Sequence, residues 1–278
     1  KLSVGPPFFD LTFTPFMIVL AMLLPLGAMV PWKRGATDRV ARVLWGPIAL
    51  SIALGAAVWA WQTGGRLLAP IGTVLAAWVV LGAFADLADR IKLFRAGAGE
   101  SARRAANLPR AELGKLTAHT GFGLMIFAIA AITAWELEDI RVVQPGERFA
   151  VGAYTLELEG VRQIQGPNYT ADRAELRLYS GAQAVGLLTP EKRFYPVQRM
   201  PTTEAGLDIG FWRDVYVVIG DQQADGGWVV RTYIKPFANW IWGSAIIMAL
   251  GGALSLTDRR YRLGAPAPRR GAAPVPAE

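Results

Sequence analysis

The sequence predicts a polytopic α-helical membrane protein of about five transmembrane helices, with a small mainly-β domain inserted before the last helix. Three observations carry this. Hydrophobic residues make up 53% of the 278 residues and charged residues only 18%, against about 25% charge in ordinary soluble proteins. The apolar residues gather into five long runs, the length scale a bilayer core demands of a helix. The Lys and Arg residues fall in blocks between those runs.

The first run, Thr14 to Pro31, carries no charge over 18 positions, near the lower limit for crossing a bilayer. Pro15 suits a helix start, where its missing N–H is not needed. Pro25 is expected to kink the interior. The other runs are Val43 to Trp61, Leu67 to Ala85, Leu113 to Trp135 and Phe237 to Leu256. The first linker holds Lys33, Arg34, Arg39 and Arg42. The linker between runs three and four holds Arg90, Lys92, Arg95, Arg103, Arg104, Arg110 and Lys115. The end of the chain holds Arg259, Arg260, Arg262, Arg269 and Arg270. If each run crosses once, these three blocks share a side, which the positive-inside rule makes the cytoplasm. Trp59, Trp61, Trp135, Trp240 and Trp242 then sit at outer ends, as an interfacial aromatic belt requires.

Four regions follow. Residues 1–135 hold an outer lead, four helices and their cytoplasmic loops. Residues 136–235 form the outer domain. Residues 236–262 are the last helix and its basic end, and 263–278 a Pro/Ala-rich tail expected to be disordered. The outer segment has 11 basic and 14 acidic residues, the balance of a soluble domain. Residues 154–161 and 173–180 alternate as strands do, while 215–220 and 228–234 are more continuously apolar. GPN at 166–168 and DGG at 225–227 are turn signals. A small β-barrel or sandwich fits.

The chain has no cysteine, so disulfides, thiolate metal sites and CxxC redox pairs are excluded. It carries no phosphate loop or dinucleotide fingerprint, and its charge blocks suit membrane topology rather than nucleic acid. No basic leader and cleavage site precede the first run, so it is not read as a signal peptide. The start at Lys1 reads as the inside of a longer protein or a trimmed one.

His119 is the single histidine and lies in the fourth run. One imidazole cannot form a tetrahedral zinc site, but it can supply one axial bond to haem iron. It could equally make an interhelical hydrogen bond or face a water-filled cavity, and the residues leave these readings open. Gly121 and Gly123 remove bulk near it, either for a macrocycle or for helix packing. In TPEKRFYP, the residues Glu191, Lys192, Arg193, Phe194 and Tyr195 could hold an anionic planar ligand or a peptide, or form a charged strand edge. Trp212, Arg213, Asp214 and Tyr216 read as core and surface of a strand. Asp86 and Asp89 read as a helix end with local ion pairs.

Five stretches in order carry a resemblance: LSVGPPFFDLTF, AHTGFG, GPNYTADRAEL, TPEKRFYPVQRMPTTEA and GWVVRTYIKPFANWIWGSAIIMALGGALSLTDRRYR. Over about residues 1–262 the chain resembles the C-terminal portion of the CcmF/NrfE family, haem lyase subunits of bacterial cytochrome c maturation. The resemblance implies a multi-pass inner-membrane protein with residues 136–235 in the periplasm. It implies attachment of haem to the CXXCH motif of apocytochrome c, with a transmembrane haem b as reductant. His119 matches one ligand of that haem b, and its other ring N–H is expected to meet a carbonyl or side chain. The implied partners are a haem chaperone, apocytochrome c, a thiol-reducing or apocytochrome-handling maturation subunit, and the upstream part of the same protein. That part would carry the second ligand, so this portion is not expected to complete the reaction alone. Two other readings compete: a membrane-anchored scaffold or docking module of the haem-delivery complex, and a transporter fragment with His119 as a proton-coupling group.

The topology is testable because every introduced cysteine is unique. A cysteine at Ser180 should react with an impermeant thiol reagent added from outside, and one at Ala267 should not. The reverse pattern would invert the orientation.

Overall fold

A computed structural model of the protein describes residues 5–30, 37–62 and 65–258. The tail expected over 263–278, the basic residues from Arg259 onward, and Pro31, Lys33 and Arg34 lie outside the described residues. Among the described residues there are seven helices: α1 (Pro6–Thr12), α2 (Thr14–Met29), α3 (Thr37–Trp61), α4 (Leu68–Arg90), α5 (Ala98–Ala106), α6 (Arg110–Trp135) and α7 (Ala238–Leu256). Of these, α3, α4, α6 and α7 are long and apolar enough to cross a membrane. The first apolar run is helical too, but α2 has only 16 residues, about 24 Å of rise against a hydrocarbon core of about 30 Å. Helix α3 starts six residues before its apolar run, taking in the charged TDRVAR turn with Asp38 at its positive N-terminal end. Helix α5, inside the basic linker, has no apolar run to announce it.

In a bilayer, lipid tails are as apolar as leucine, so helices associate through close packing rather than the hydrophobic effect. Helix α4 packs on α2, α3 and α6, and α6 packs on α4 and α7. Glycine occupies the points of nearest approach. A Cβ on Gly114 would lie 2.5 Å from the Gly251 carbonyl oxygen, and one on Gly251 2.5 Å from the Ala118 nitrogen. A Cβ on Gly121 would meet the Ser244 carbonyl at 2.9 Å. On the α4 side, Gly123 lies against Ala76 and Val80, and Gly72 against Ala130. Pro25 remains inside α2, with its ring on Gly82 of α4.

Between α6 and α7 the chain builds ten strands: β1 (Leu137–Val143), β2 (Arg148–Val151), β3 (Tyr154–Gln165), β4 (Thr170–Ser180), β5 (Gln183–Leu188), β6 (Glu191–Tyr195), β7 (Met200–Glu204), β8 (Gly206–Ile209), β9 (Arg213–Gln222) and β10 (Trp228–Pro236). They form two sheets, ordered β1-β10-β9-β8 and β2-β3-β4-β6-β7, with β5 on β4. Both sheets feed one core, where Leu156, Leu158, Leu176 and Leu178 meet Val215, Val217, Ile219 and Val230. This is a sandwich rather than a barrel. All four expected strands are there, as β3, β4, β9 and β10. GPN turns the chain between β3 and β4, and DGG turns it between β9 and β10, where Gly226 takes the left-handed conformation (φ 88) that favours glycine.

The sandwich joins the helices without a linker. Glu136 alone separates α6 from β1, and Phe237 alone separates β10 from α7. Strands β1 and β10 pair, Leu137 opposite Ile234, directly above the α6–α7 contact.

The glycine contacts predict a position-specific effect on one helix. Gly251→Val should cost about 1–3 kcal/mol by overpacking, read as a lower unfolding midpoint in detergent. Gly252→Val, where a Cβ would meet nothing within 4 Å, should leave the midpoint near the parent value.

Candidate functional site on helix α6

His119 lies half-buried on α6. Lys115, His119, Phe122 and Ile126 recur at the spacing that shares one helix face. Phe122 and Ile126 pack on a cluster made by Ala21 of α2, Val40 and Leu44 of α3, and Trp78 and Val79 of α4. On α6, His119 lies between two contacts with α4, that of Gly123 with Ala76 and Val80 and that of Lys115 with Asp86. Among the described residues the ring has no hydrogen-bonding partner. The bond expected from its second nitrogen is not made among the described residues. Nor do Gly121 and Gly123 make a cradle around the ring. They face α7 and α4, where they admit neighbouring helix backbone.

One turn toward the basic end, the site becomes ionic. Lys115 Nζ lies 2.6 Å from Asp86 Oδ2 and 2.8 Å from Glu112 Oε2. Arg90 reaches the same two carboxylates at 2.9 and 3.1 Å. Buried Asp89 accepts hydrogen bonds from Arg39 of α3 and Arg95. The ion pairs expected at Asp86 and Asp89 are thus present, and they tie α3, α4 and α6 together. A cavity of about 270 Å³ opens beside them, lined by Ala28, Met29, Val30, Arg39, Asp86 and Asp89 among others. Among the described residues, no group of three or more His, Cys, Asp or Glu side chains is placed to hold a metal ion, so any metal at His119 needs a further ligand of another kind or from another chain segment.

The opposite end of the bundle is aromatic. Trp61 and Trp135 meet edge to face with centroids 5.7 Å apart, and Phe127 links Trp135 to Phe237 and Trp240. Trp212 is 64% exposed and packs on Phe211, Phe237 and Trp240. It is therefore not strand core, as the sequence reading placed it: it precedes β9, in the turn that rests on α7. Trp240 Nε1 donates to the Phe211 carbonyl at 2.9 Å, and the Phe237 N–H donates to the Trp212 carbonyl at 2.9 Å. Phe237 takes a left-handed conformation, φ 57, which is costly for a residue with a Cβ and carries no sequence signal.

TPEKRFYP is occupied internally. Buried Glu191 accepts hydrogen bonds from Arg173 Nε at 2.6 Å and Arg193 Nε at 2.7 Å. Arg193 also pairs with Glu204 and lies over the Tyr169 ring, and Lys192 pairs with Asp221. These cations hold strands together, which is the charged-strand reading and not a ligand site. Burial works to raise the Glu191 pKa, but the hydrogen bonds from Arg193 and Arg173 outweigh it and hold the carboxyl below its usual value.

The described residues form a bundle of membrane-length helices with a β-sandwich mounted between α6 and α7, and an imidazole on α6 that has no hydrogen-bonding partner among them. Residues 134–236 match the family described as the CcmF C-terminal beta-sandwich. The chain is 51% identical over 269 residues to the cytochrome c-type biogenesis protein ccl1 of Rhodobacter capsulatus, covering 97% of this chain and 40% of that protein. It is 41% identical over 270 residues to the cytochrome c-type biogenesis protein CycK of Rhizobium meliloti, with the same coverage of both. A solved structure, cytochrome c heme lyase CcmF, superposes with a TM-score of 0.69 at 23% identity, over 91% of this chain and 41% of the other. The chain corresponds to a C-terminal portion of the CcmF family. It spans about 40% of the length of the relatives it matches.

The Glu191 cluster predicts an acid response. A carboxyl whose folded pKa is depressed stabilises the fold above its unfolded value, here 4.5, and that stabilisation is lost as pH falls through the folded value. Glu191→Gln should lower the melting temperature of the intact protein at pH 7 and flatten its fall below about pH 4.5. Parallel profiles for the two proteins would contradict the assignment.

Proposed function

We propose that this chain serves covalent haem attachment in cytochrome c maturation. Joined with the remainder of a full-length CcmF-type protein, it belongs to the haem lyase subunit that attaches haem to the CXXCH motif of apocytochrome c. In this reading His119 gives one axial bond to a b-type haem among the spanning helices. The observation that carries it is an imidazole on a membrane-length helix with no hydrogen-bonding partner among the described residues. Ionisable groups there are costly and mark function by default, and a ring nitrogen with nothing to bond fits an axial ligand. Such a haem, when bound, supplies one-electron chemistry able to keep the incoming substrate haem reduced.

The chain's own residues do the positioning. Close packing of α6 on α4 and α7 fixes the direction of His119. The resemblance to the CcmF family assigns the second axial bond to the remainder of the protein. With no cysteine in the chain, reduction of the apocytochrome thiols is left to another maturation subunit. The proposed topology puts the basic loops in the cytoplasm and residues 136–235 in the periplasm, on the inner membrane. The sandwich then stands where a haem chaperone and apocytochrome c arrive. Named relatives that are cytochrome c-type biogenesis proteins support this reading over that of a transporter fragment.

Replacing His119 with Ala in a full-length protein of this family that carries this chain should abolish or strongly weaken its low-spin reduced-haem absorption bands, with protein levels in the membrane maintained. Unchanged bands at full occupancy would remove His119 from the site.

A further inference from the structure

Lys115 stands one helical turn from His119 on the same face of α6, and it pairs with Asp86 on α4. Side chains four apart on a helix are neighbours, with Cβ atoms about 5–6 Å apart. The Lys115 ammonium is not free to swing out toward water. Asp86 and Glu112 hold it from two sides, and Arg90 bonds the same two carboxylates. Two cations thus face two anions, and the group is balanced only while all of them are charged. Removing one leaves a whole unit of charge uncompensated beside the ring, where low polarisability makes it felt over several ångströms.

We propose that Lys115 sets the reduction potential of the cofactor bound at His119, with Asp86 opposing it. The inference rests on the reading of His119 as a haem ligand. Ferric haem carries one more positive charge than ferrous haem. The fixed Lys115 ammonium therefore disfavours the oxidised form and raises the potential, while the Asp86 carboxylate favours the oxidised form and lowers it. Charge and burial around haem are among the protein's means of adjusting potential. An ion pair that merely tied α6 to α4 would affect stability, but it would not give the two partners opposite signs in a redox titration.

The test is a potentiometric titration of the reduced-haem band in a full-length protein of this family carrying this chain, with the wild type beside three variants. Lys115→Gln should lower the midpoint by roughly tenfold in the oxidised-to-reduced ratio, about 59 mV for one electron. Asp86→Asn should raise it. Lys115→Arg, which keeps the charge, should stay close to wild type. Midpoints that do not move, or that move the same way in Lys115→Gln and Asp86→Asn, would overturn the inference while leaving the haem assignment intact. If Lys115→Gln loses its haem, the sign of the Asp86→Asn shift decides by itself. A wild-type protein with no His119-dependent haem would overturn the proposed function, and this inference with it.

Discussion

Helix α6 can lie between α4 and α7 at backbone-contact distance only because glycine stands at each point of nearest approach. Everything else in the molecule inherits that geometry. In a medium that gives no hydrophobic drive to association, van der Waals contact over the length of two seams must supply the cohesion. Gly114, Gly121 and Gly251 close one seam, and Gly72 and Gly123 close the other. Once both are closed, the rotation of α6 about its axis is fixed. That rotation turns Phe122 and Ile126 onto the cluster of α2, α3 and α4, places Lys115 over Asp86, and carries the end of α6 straight into β1.

The two ends of the bundle are then secured by different chemistry. At the basic end, carboxylates on α4 and α6 are matched by cations from α3, α4, α6 and the following linker. Solvent-facing ion pairs contribute little, but here Asp86 and Asp89 are nearly inaccessible while their arginine partners are partly exposed, so the cost falls on a carboxylate left buried without its cation. At the other end the joints are aromatic. Phe127, Phe237 and Trp240 contact one another, and two hydrogen bonds to the carbonyls of Phe211 and Trp212 fasten the sandwich to α7. Neither arrangement would serve in the other's place: the ionic end needs nearby water to solvate its outer cations, and the indoles suit a boundary that is half apolar.

Much of this was legible in the sequence because it rests on composition and period. Five apolar runs became five helices, and the strands that alternate or run apolar became β3, β4, β9 and β10. What was not legible depends on pairing between distant residues. Strands β5 to β8 are short and half exposed, so neither alternation nor an apolar run marks them. The length of α2 falls short of the other spans because its helix stops at Met29, where Val30 turns extended. His119 stood out as the single imidazole, but whether it finds a hydrogen-bonding partner depends on how α6 packs and not on its place in the sequence. The glycines beside it were visible and their purpose was not, since helix packing and room for a macrocycle leave the same trace in one chain. Trp212 was misplaced because the strand it precedes begins one residue later, and the cluster it joins is assembled from α6, α7 and the turn before β9.

The one-residue joints at Glu136 and Phe237 have a consequence for how anything could reach the sandwich. A domain on a flexible tether samples a volume, and its local concentration near a second site is set by tether length. Here two paired strands continue two paired helices, so there is no tether to sample with. The sandwich holds a single bearing relative to the bundle, and whatever docks on it is aimed rather than merely retained nearby. Inserting even a few flexible residues at either joint would leave both folded parts intact and convert an aimed encounter into a random search.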